Sequence, residues 1–371
     1  WPYIEGEKFA FVAVTEYGVS GIGAFLLSMY KNTNDKEAEK YAKGAAEWLK
    51  AIALSVDSKE KPCYKWRAGH GDIPKDAWTR ARYFHTGWCW GAAGVCWFLY
   101  KMYEEFGDSS YLEYANGGMN WLKSIAIPEA GGYKWYRSDY EEDINQYHTT
   151  WGKGAAGIGY VFLLGYQITG DPSYLEYAKK AGEWLTSQAI PSGNGGYKWP
   201  SDKPYFPNTW CDGSCIPVAL FFAELYKEIR IERYLEYVMG AYNWINTIKV
   251  TGSSGGYTWY INEELNNLGD ISENGGTASM IRHIGRICNQ PTLEEFADKA
   301  AIWIINQKEV DGDGYKWIKR VEIKQVKIDE IFSKTPILLK SYPNPFINSC
   351  QISAFSGQVS AFSLQIYDIK G

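Results

Sequence analysis

The chain has 371 residues, 46% of them apolar, and a formal net charge of -5, so it can fill the core of one large domain and a smaller one. Lys and Arg are scattered among Asp and Glu, which leaves no basic stripe for nucleic acid and no charge block for a membrane surface. No apolar run approaches the roughly 18 to 20 residues of a membrane span, and no signal peptide is visible.

The chain opens on Trp1-Pro2, which looks like the tail of a loop that returns as Tyr197-Lys198-Trp199-Pro200. At least one repeat is therefore expected to precede residue 1 in the parent protein. One unit then recurs: a glycine-led apolar helix, a Gly-Asp-x-x-Tyr-Leu-Glu-Tyr-Ala turn, a second helix ending in Trp-Leu or Trp-Ile, and a loop closing in Gly-Gly-Tyr-Lys-Trp. The second helices carry Trp48, Trp121, Trp184, Trp244 and Trp303, and the loops carry Trp66, Trp135, Trp199, Trp259 and Trp317. Successive loop tryptophans lie 58 to 69 residues apart, so five helical hairpins are visible.

Apolar residues spaced three and four apart, as in AAGIGYVFLLGYQ, predict amphipathic or fully buried helices. Asp171-Pro172-Ser173 reads as a helix start and Gly193-Asn194-Gly195-Gly196 as a helix stop, with the Tyr-Lys-Trp segments pairing as short strands. Hairpins of this kind bury their faces only against neighbours. The expected fold is an all-α, α/α toroid with the glycine-led helices inside and six or seven repeats in the parent protein.

Aligned by their starts, the inner helices bring polar residues to one level. Glu16 precedes the first, His85 and Cys89 the second, His148 and Lys153 the third, Cys211 and Asp212 the fourth, and Glu273 with Asn274 the fifth. Free N–H groups and helix dipoles there would favour an anion or a developing negative charge. The glycines are read as packing devices that let inner helices approach closely.

The starts GVSGIG, GAAGV and GAAGIG, together with Trp210-Cys211-Asp212-Gly213, resemble lanthionine synthetase C-like proteins over residues 10 to 317. That resemblance implies an α/α toroid with a central zinc ion, held by a cysteine of a Trp-Cys-x-Gly motif and a later Cys-His-Gly. Cys211 fits the first motif, whereas Glu273-Asn274-Gly275 stands where the second would be. Another zinc set would gather His85, Cys89, His148 and Cys211 from neighbouring repeats. The seven cysteines are otherwise irregularly spaced, and most are expected to be buried free thiols.

After Trp317 the pattern changes. Residues 1–320 are assigned to the toroid, 321–335, which include the alternating stretch VEIKQVKIDEIF, to a linker, and 336–371 to a partial, β-sandwich-like module. The stretch from Ser341 to Gly371, with YPNPF near its start and IYDIKG at its end, resembles the C-terminal sorting domains of the type IX secretion pathway. It implies a secreted or cell-surface protein.

These features converge on a secreted protein that binds or processes an extracellular glycan in a central cleft, of glycoside hydrolase or polysaccharide lyase type if catalytic. Asp212, Glu273, Glu16, His148 and His85 are the candidate proton-transfer residues. Trp151, Trp88, Trp210 and Lys153, with Tyr140 from the loop RSDYEEDINQY, are the candidate substrate contacts. Glu141, Glu142 and Asp143 of that loop read equally as a solvated acidic face; Lys65, Lys134, Lys198 and Lys316 beside the loop tryptophans suit acidic sugars, but their regular recurrence favours structural loops with solvated cations. The glycan reading needs no cofactor. Two alternatives stand beside it: a zinc-dependent enzyme acting on peptides or thiols, with Cys211 and Cys89 as ligands, and a noncatalytic surface protein that self-associates through the open end of its repeat array.

Overall fold

The computed structural model describes residues 9–11, 18–56, 61–71, 82–200, 215–260, 271–311, 314–317, 338–344, 349–356 and 359–367. They group into two compact units, Trp1–Trp244 and Ile245–Gly371.

The first unit is a series of antiparallel helix pairs. They are α1 (Val19–Thr33) with α2 (Lys36–Ala51), α3 (Ala92–Phe106) with α4 (Ser109–Ser124), α5 (Ala155–Thr169) with α6 (Pro172–Ser187), and α7 (Cys215–Ile229) with α8 (Glu232–Thr247). Helices α1, α3, α5 and α7 pack side by side as an inner layer. Their sequences are apolar nearly all round, and α5 is buried at Ala155, Ile158, Val161, Phe162 and Leu164, as a helix with neighbours on several sides must be.

The turns within each pair follow from local chemistry. Gly107 and Gly170 end α3 and α5 at φ 68° and 70°, a left-handed conformation open to glycine without a Cβ penalty. One residue later Asp108 and Asp171 cap α4 and α6, each carboxylate accepting the backbone N–H two residues on at 2.9 Å. Pro172 occupies the first turn of α6, as the sequence predicts.

A short antiparallel β-hairpin follows each outer helix. In the first unit these pair Leu54–Ser55 with Tyr64–Lys65, Ile127–Glu129 with Gly132–Lys134, and Ile190–Ser192 with Gly196–Lys198. The expected helix stop at Gly193–Gly196 is instead the turn of the third hairpin, because α6 has already ended at Ser187. Asn194 at φ 60° and Gly195 at φ 69° make that reversal.

In the first unit the hairpin tryptophan locks the strand pair onto the helix before it. The indole N–H groups of Trp66, Trp135 and Trp199 donate at 2.8 Å to the carbonyls of Leu49, Leu122 and Leu185. Each acceptor is the residue after the helix tryptophan, one of the carbonyls a helix end leaves without an internal partner. The Trp-Leu and Tyr-Lys-Trp motifs are thus two halves of one contact.

In the second unit, the strands Lys249–Thr251 and Tyr257–Trp259 pair ahead of α9 (Ile271–Cys288) and α10 (Pro291–Asn306). The hairpin of Lys308–Asp311 with Gly314–Trp317 comes next, and Trp317 donates to the Ile304 carbonyl at 2.8 Å. Trp259 is fully buried, and among the described residues its indole N–H meets no acceptor. The C-terminal β segments form a three-stranded antiparallel sheet, Leu338–Asn344, Ser349–Ser356 and Val359–Tyr367, with the second strand central. The proposed linker at 321–335 lies outside the described residues.

Candidate functional site

The segments before α3 and α5 fold alike. In each, the chain turns through a His-Thr dipeptide and a tryptophan before a glycine opens the helix. The His85 and Thr86 carbonyls accept the N–H groups of Ala92 and Ala93 at 3.0 and 3.2 Å, and the His148 and Thr149 carbonyls accept those of Ala155 and Ala156 at 2.9 and 3.4 Å. The leading N–H groups of these two helices are therefore already bonded to backbone, which corrects the expectation of free donors for an anion. Only a glycine permits this closeness: a Cβ on Gly91 would strike the His85 carbonyl, and one on Gly154 the His148 carbonyl. The glycines inside the helices do act between elements, since Gly23 faces the Phe98 ring and Gly159 faces Phe221 and Ala181.

The two threonines tie one repeat to the next. Thr86 donates to the Tyr136 carbonyl at 2.6 Å and Thr149 to the Pro200 carbonyl at 2.5 Å, each acceptor being the residue after a hairpin tryptophan. Their signal in the sequence is the repeated His-Thr dipeptide, which names no chemistry by itself. His85 and His148 occupy equivalent places, and both are buried.

An aromatic series runs along these starts. Trp88 meets Trp97 at 5.2 Å and Trp151 at 6.3 Å between ring centroids, both edge-on, and Trp151 meets Tyr160 of α5 at 4.8 Å. All four rings are partly open to solvent while the surrounding helix residues are buried. The Trp88 indole N–H is shielded, and among the described residues it meets no acceptor. Burial, with the carboxylates Glu224 and Glu104 adding to it, pushes the Tyr160 phenol up to about 12.

Other candidates are placed as follows. The Cys89 side chain is fully buried and its N–H donates to the Gly152 carbonyl at 2.7 Å, beside Lys153. Tyr140 lies against Tyr83, centroids 4.7 Å apart. The acidic face expected at residues 141–143 is split: Glu141 and Glu142 are exposed, whereas Asp143 is fully buried. Its carboxylate accepts the Ser138 hydroxyl at 2.8 Å and lies 3.8 Å from Arg137 Nε, so it anchors the loop. Lys134 corrects the solvated-lysine expectation, because it pairs with Glu129 and sits 3.8 Å over the Tyr147 ring. Cys215 is a buried thiol whose Sγ lies 3.5 Å from the Tyr197 carbonyl, and burial holds it well above the ordinary thiol range. Glu16, Trp210, Cys211 and Asp212 lie outside the described residues, as does the side chain of Glu273, whose backbone is in the first turn of α9.

A family zinc site finds no support among the described residues, where no three His, Cys, Asp or Glu side chains come together as metal ligands. Where the resemblance places Cys-His, Asn274 is fully buried and its amide nitrogen donates to the Thr258 hydroxyl at 2.7 Å. An amide committed in this way is no substitute for thiolate or imidazole, so at this position the described residues do not offer the family's ligands.

Helical hairpins in two layers, with aromatic and histidine-bearing inner helix starts, define an α/α repeat protein of the toroid class. Residues 17–124 and 118–249 match the family model described as lanthionine synthetase C-like protein, together more than half of the chain. The chain belongs to that family. No curated protein sequence matches it. Among solved structures it is similar to a family 76 glycoside hydrolase from a bovine Bacteroides thetaiotaomicron strain, with 16% identity, a TM-score of 0.52, and coverage of 82% of this chain and 62% of that one. It thus spans less than two thirds of that hydrolase. A sugar epimerase from a ruminal bacterium gives 12% identity and a TM-score of 0.59, covering 85% of this chain and 80% of the epimerase. The cellobiose 2-epimerase of Bacillus thermoamylovorans gives 10% and 0.57, covering 84% and 80%. At these identities the likeness is one of fold. Among the described residues, no helix is long and apolar enough to cross a membrane.

Proposed function

We propose that the protein binds a glycan at the starts of α3 and α5, with Trp88 and Trp151 as stacking platforms and Lys153 and Tyr140 at the margin. The observation that carries this is the partly open series Trp97, Trp88, Trp151 and Tyr160. Four rings kept from full burial beside an otherwise closed helical core suit the apolar faces of sugar rings. Support comes from the similar structures, which carry the names of a glycoside hydrolase and of sugar epimerases.

Turnover, in this reading, belongs to Asp212, Glu273 or Glu16, with His148 and His85 as buried positioning residues rather than open proton shuttles. The C-terminal module supports secretion through its YPNPF and IYDIKG segments. The test is calorimetric titration of the full chain with mannose oligosaccharides and with cellobiose. At least one sugar should bind saturably, and Trp151→Ala should weaken it about tenfold or more while circular dichroism stays unchanged. Binding unaffected by both Trp151→Ala and Trp88→Ala would remove the site.

A further inference from the structure

The open face of the inner helices passes from rings to charges. Trp97 on α3 and Tyr160 on α5 each stand ten residues before the left-handed glycine that ends the helix, Gly107 and Gly170. Leu220 on α7 stands ten before Arg230, which is also left-handed, at φ 53°. Positions four and seven residues further on share that face of a helix. On α3 they hold Lys101 and Glu104, and on α7 Glu224 and Lys227. Trp97, Tyr160 and Leu220 are partly open and Glu104 and Lys227 exposed, whereas most residues between them are buried. Glu224 is 8% exposed and follows the apolar run CIPVALFFA. Both Glu104 and Glu224 help to raise the Tyr160 phenol, so the two carboxylates stand within electrostatic reach of the ring that ends the aromatic series.

The cations of this layer are already committed. Helices α1, α3, α5 and α7 contain three basic residues, Lys31, Lys101 and Lys227, against four carboxylates. Lys101 pairs with Glu104 at 2.7 Å, Lys227 with Glu224 at 3.4 Å and Lys31 with Glu105 at 3.1 Å. Glu228, the fourth carboxylate, accepts the Gln167 amide at 2.9 Å. Of the hairpin lysines that might have met an acidic sugar, Lys65 sits 3.9 Å over the Phe84 ring and Lys134 pairs with Glu129. A carboxylate held by one lysine keeps lone pairs for a sugar hydroxyl. A uronate entering the same place would have to draw a lysine from its partner and then face the carboxylate left behind.

We propose that this face takes a neutral glycan and rejects acidic ones, with Glu224 and Glu104 accepting sugar hydroxyls and setting that choice. The inference rests on the glycan reading above and adds the charge class of the sugar. Rings from Trp97 to Tyr160 hold the apolar faces of the chain, and the carboxylates one and two turns further along hold its polar edge. Hydroxyl groups bonded to a carboxylate are charge-assisted donors, roughly twice as strong as neutral ones.

The test is calorimetric titration of the full chain with mannose or glucose oligosaccharides and with galacturonic acid oligomers of the same length. At about 20 mM salt the neutral sugar should bind at least about tenfold tighter, and the gap should narrow at about 0.5 M, where charges are screened. Glu224→Gln should weaken the neutral sugar about tenfold and narrow the gap as well, with Glu104→Gln acting in the same direction. A merely structural Glu224 would lower the melting temperature and weaken both classes alike, so the ratio of the two affinities is the readout. Uronate oligomers that bind as tightly as neutral ones, and lose affinity in Trp151→Ala, would overturn the charge class and leave the aromatic site standing. A ratio that neither glutamine variant moves would equally overturn it. If no oligomer of either class binds, the glycan reading itself falls and takes this inference with it.

Discussion

The Thr149 hydroxyl donates to the carbonyl of Pro200, fifty-one residues away in sequence, at 2.5 Å. Thr86 makes the matching bond to Tyr136 one repeat earlier. Because each acceptor follows a hairpin tryptophan already fastened to its outer helix, the threonine links an inner helix start to the far side of the next hairpin. The repeats are thereby joined through hydrogen bonds as well as apolar contact.

Thr149→Val keeps the shape of the side chain and removes the donor. Thr149 is 2% exposed, so the Pro200 carbonyl loses its partner in a shielded place, and a loss of about 1 to 2 kcal/mol is expected. The urea unfolding midpoint should fall with an unchanged slope. A midpoint equal to wild type would mean that the bond contributes nothing net.

Gly154→Ala should be far more damaging. The added Cβ would collide with the His148 carbonyl, and both partners are backbone, which cannot turn aside as a side chain can. An overpacking cost of about 3 kcal/mol or more is expected, against almost none for Gly193→Ala, where nothing lies within 4 Å. Parallel thermal melts would compare them, and equal melting temperatures would show that the helix start can reopen.

Hairpin repeats, helix and loop tryptophans, and the Asp-Pro-Ser cap were legible because each has a periodic or side-chain signature. Much of the site was not. Capping of α3 and α5 by carbonyls seven residues upstream uses backbone alone, so His85 and His148 looked like side chains offered to a mouth of free N–H groups. Asp143 looked solvated in an acidic run, yet its partners Ser138 and Arg137 turn it inward. Gly193–Gly196 read as a helix stop because glycine clusters end helices and make hairpin turns equally well, and only the position of α6 decides between them.

Asp171 gives a pH-dependent test of the turns. Hydrogen bonds from Ser173, by its side chain first and its backbone N–H second, hold the carboxyl below the usual aspartate value. Its contribution is therefore present above the unfolded pKa and lost as pH falls through the folded one. Asp171→Ala should cost about 1 kcal/mol near neutral pH and almost nothing in strong acid. A difference that persists unchanged into acid would mean that the cap is not acting through its charge.

The tyrosines supply the opposite limb. Burial raises the phenols of Tyr136, Tyr160 and Tyr234 to about 12, from an ordinary value of 10.0. Folding then favours the protonated phenol, and the unfolded chain releases its protons first. Stability tied to these groups is whole below the unfolded value and declines as pH rises through the folded one. Spectrophotometric titration should show one class of tyrosines ionising near the ordinary value and a later class together with loss of helical signal. Tyr160→Phe should remove one phenol from the late class and delay alkaline unfolding, since it keeps the ring against Trp151 without a group to ionise. If Tyr160 instead titrates with the early class, its ring is open to water, and the aromatic series proposed to hold sugar is wider than the structure draws it.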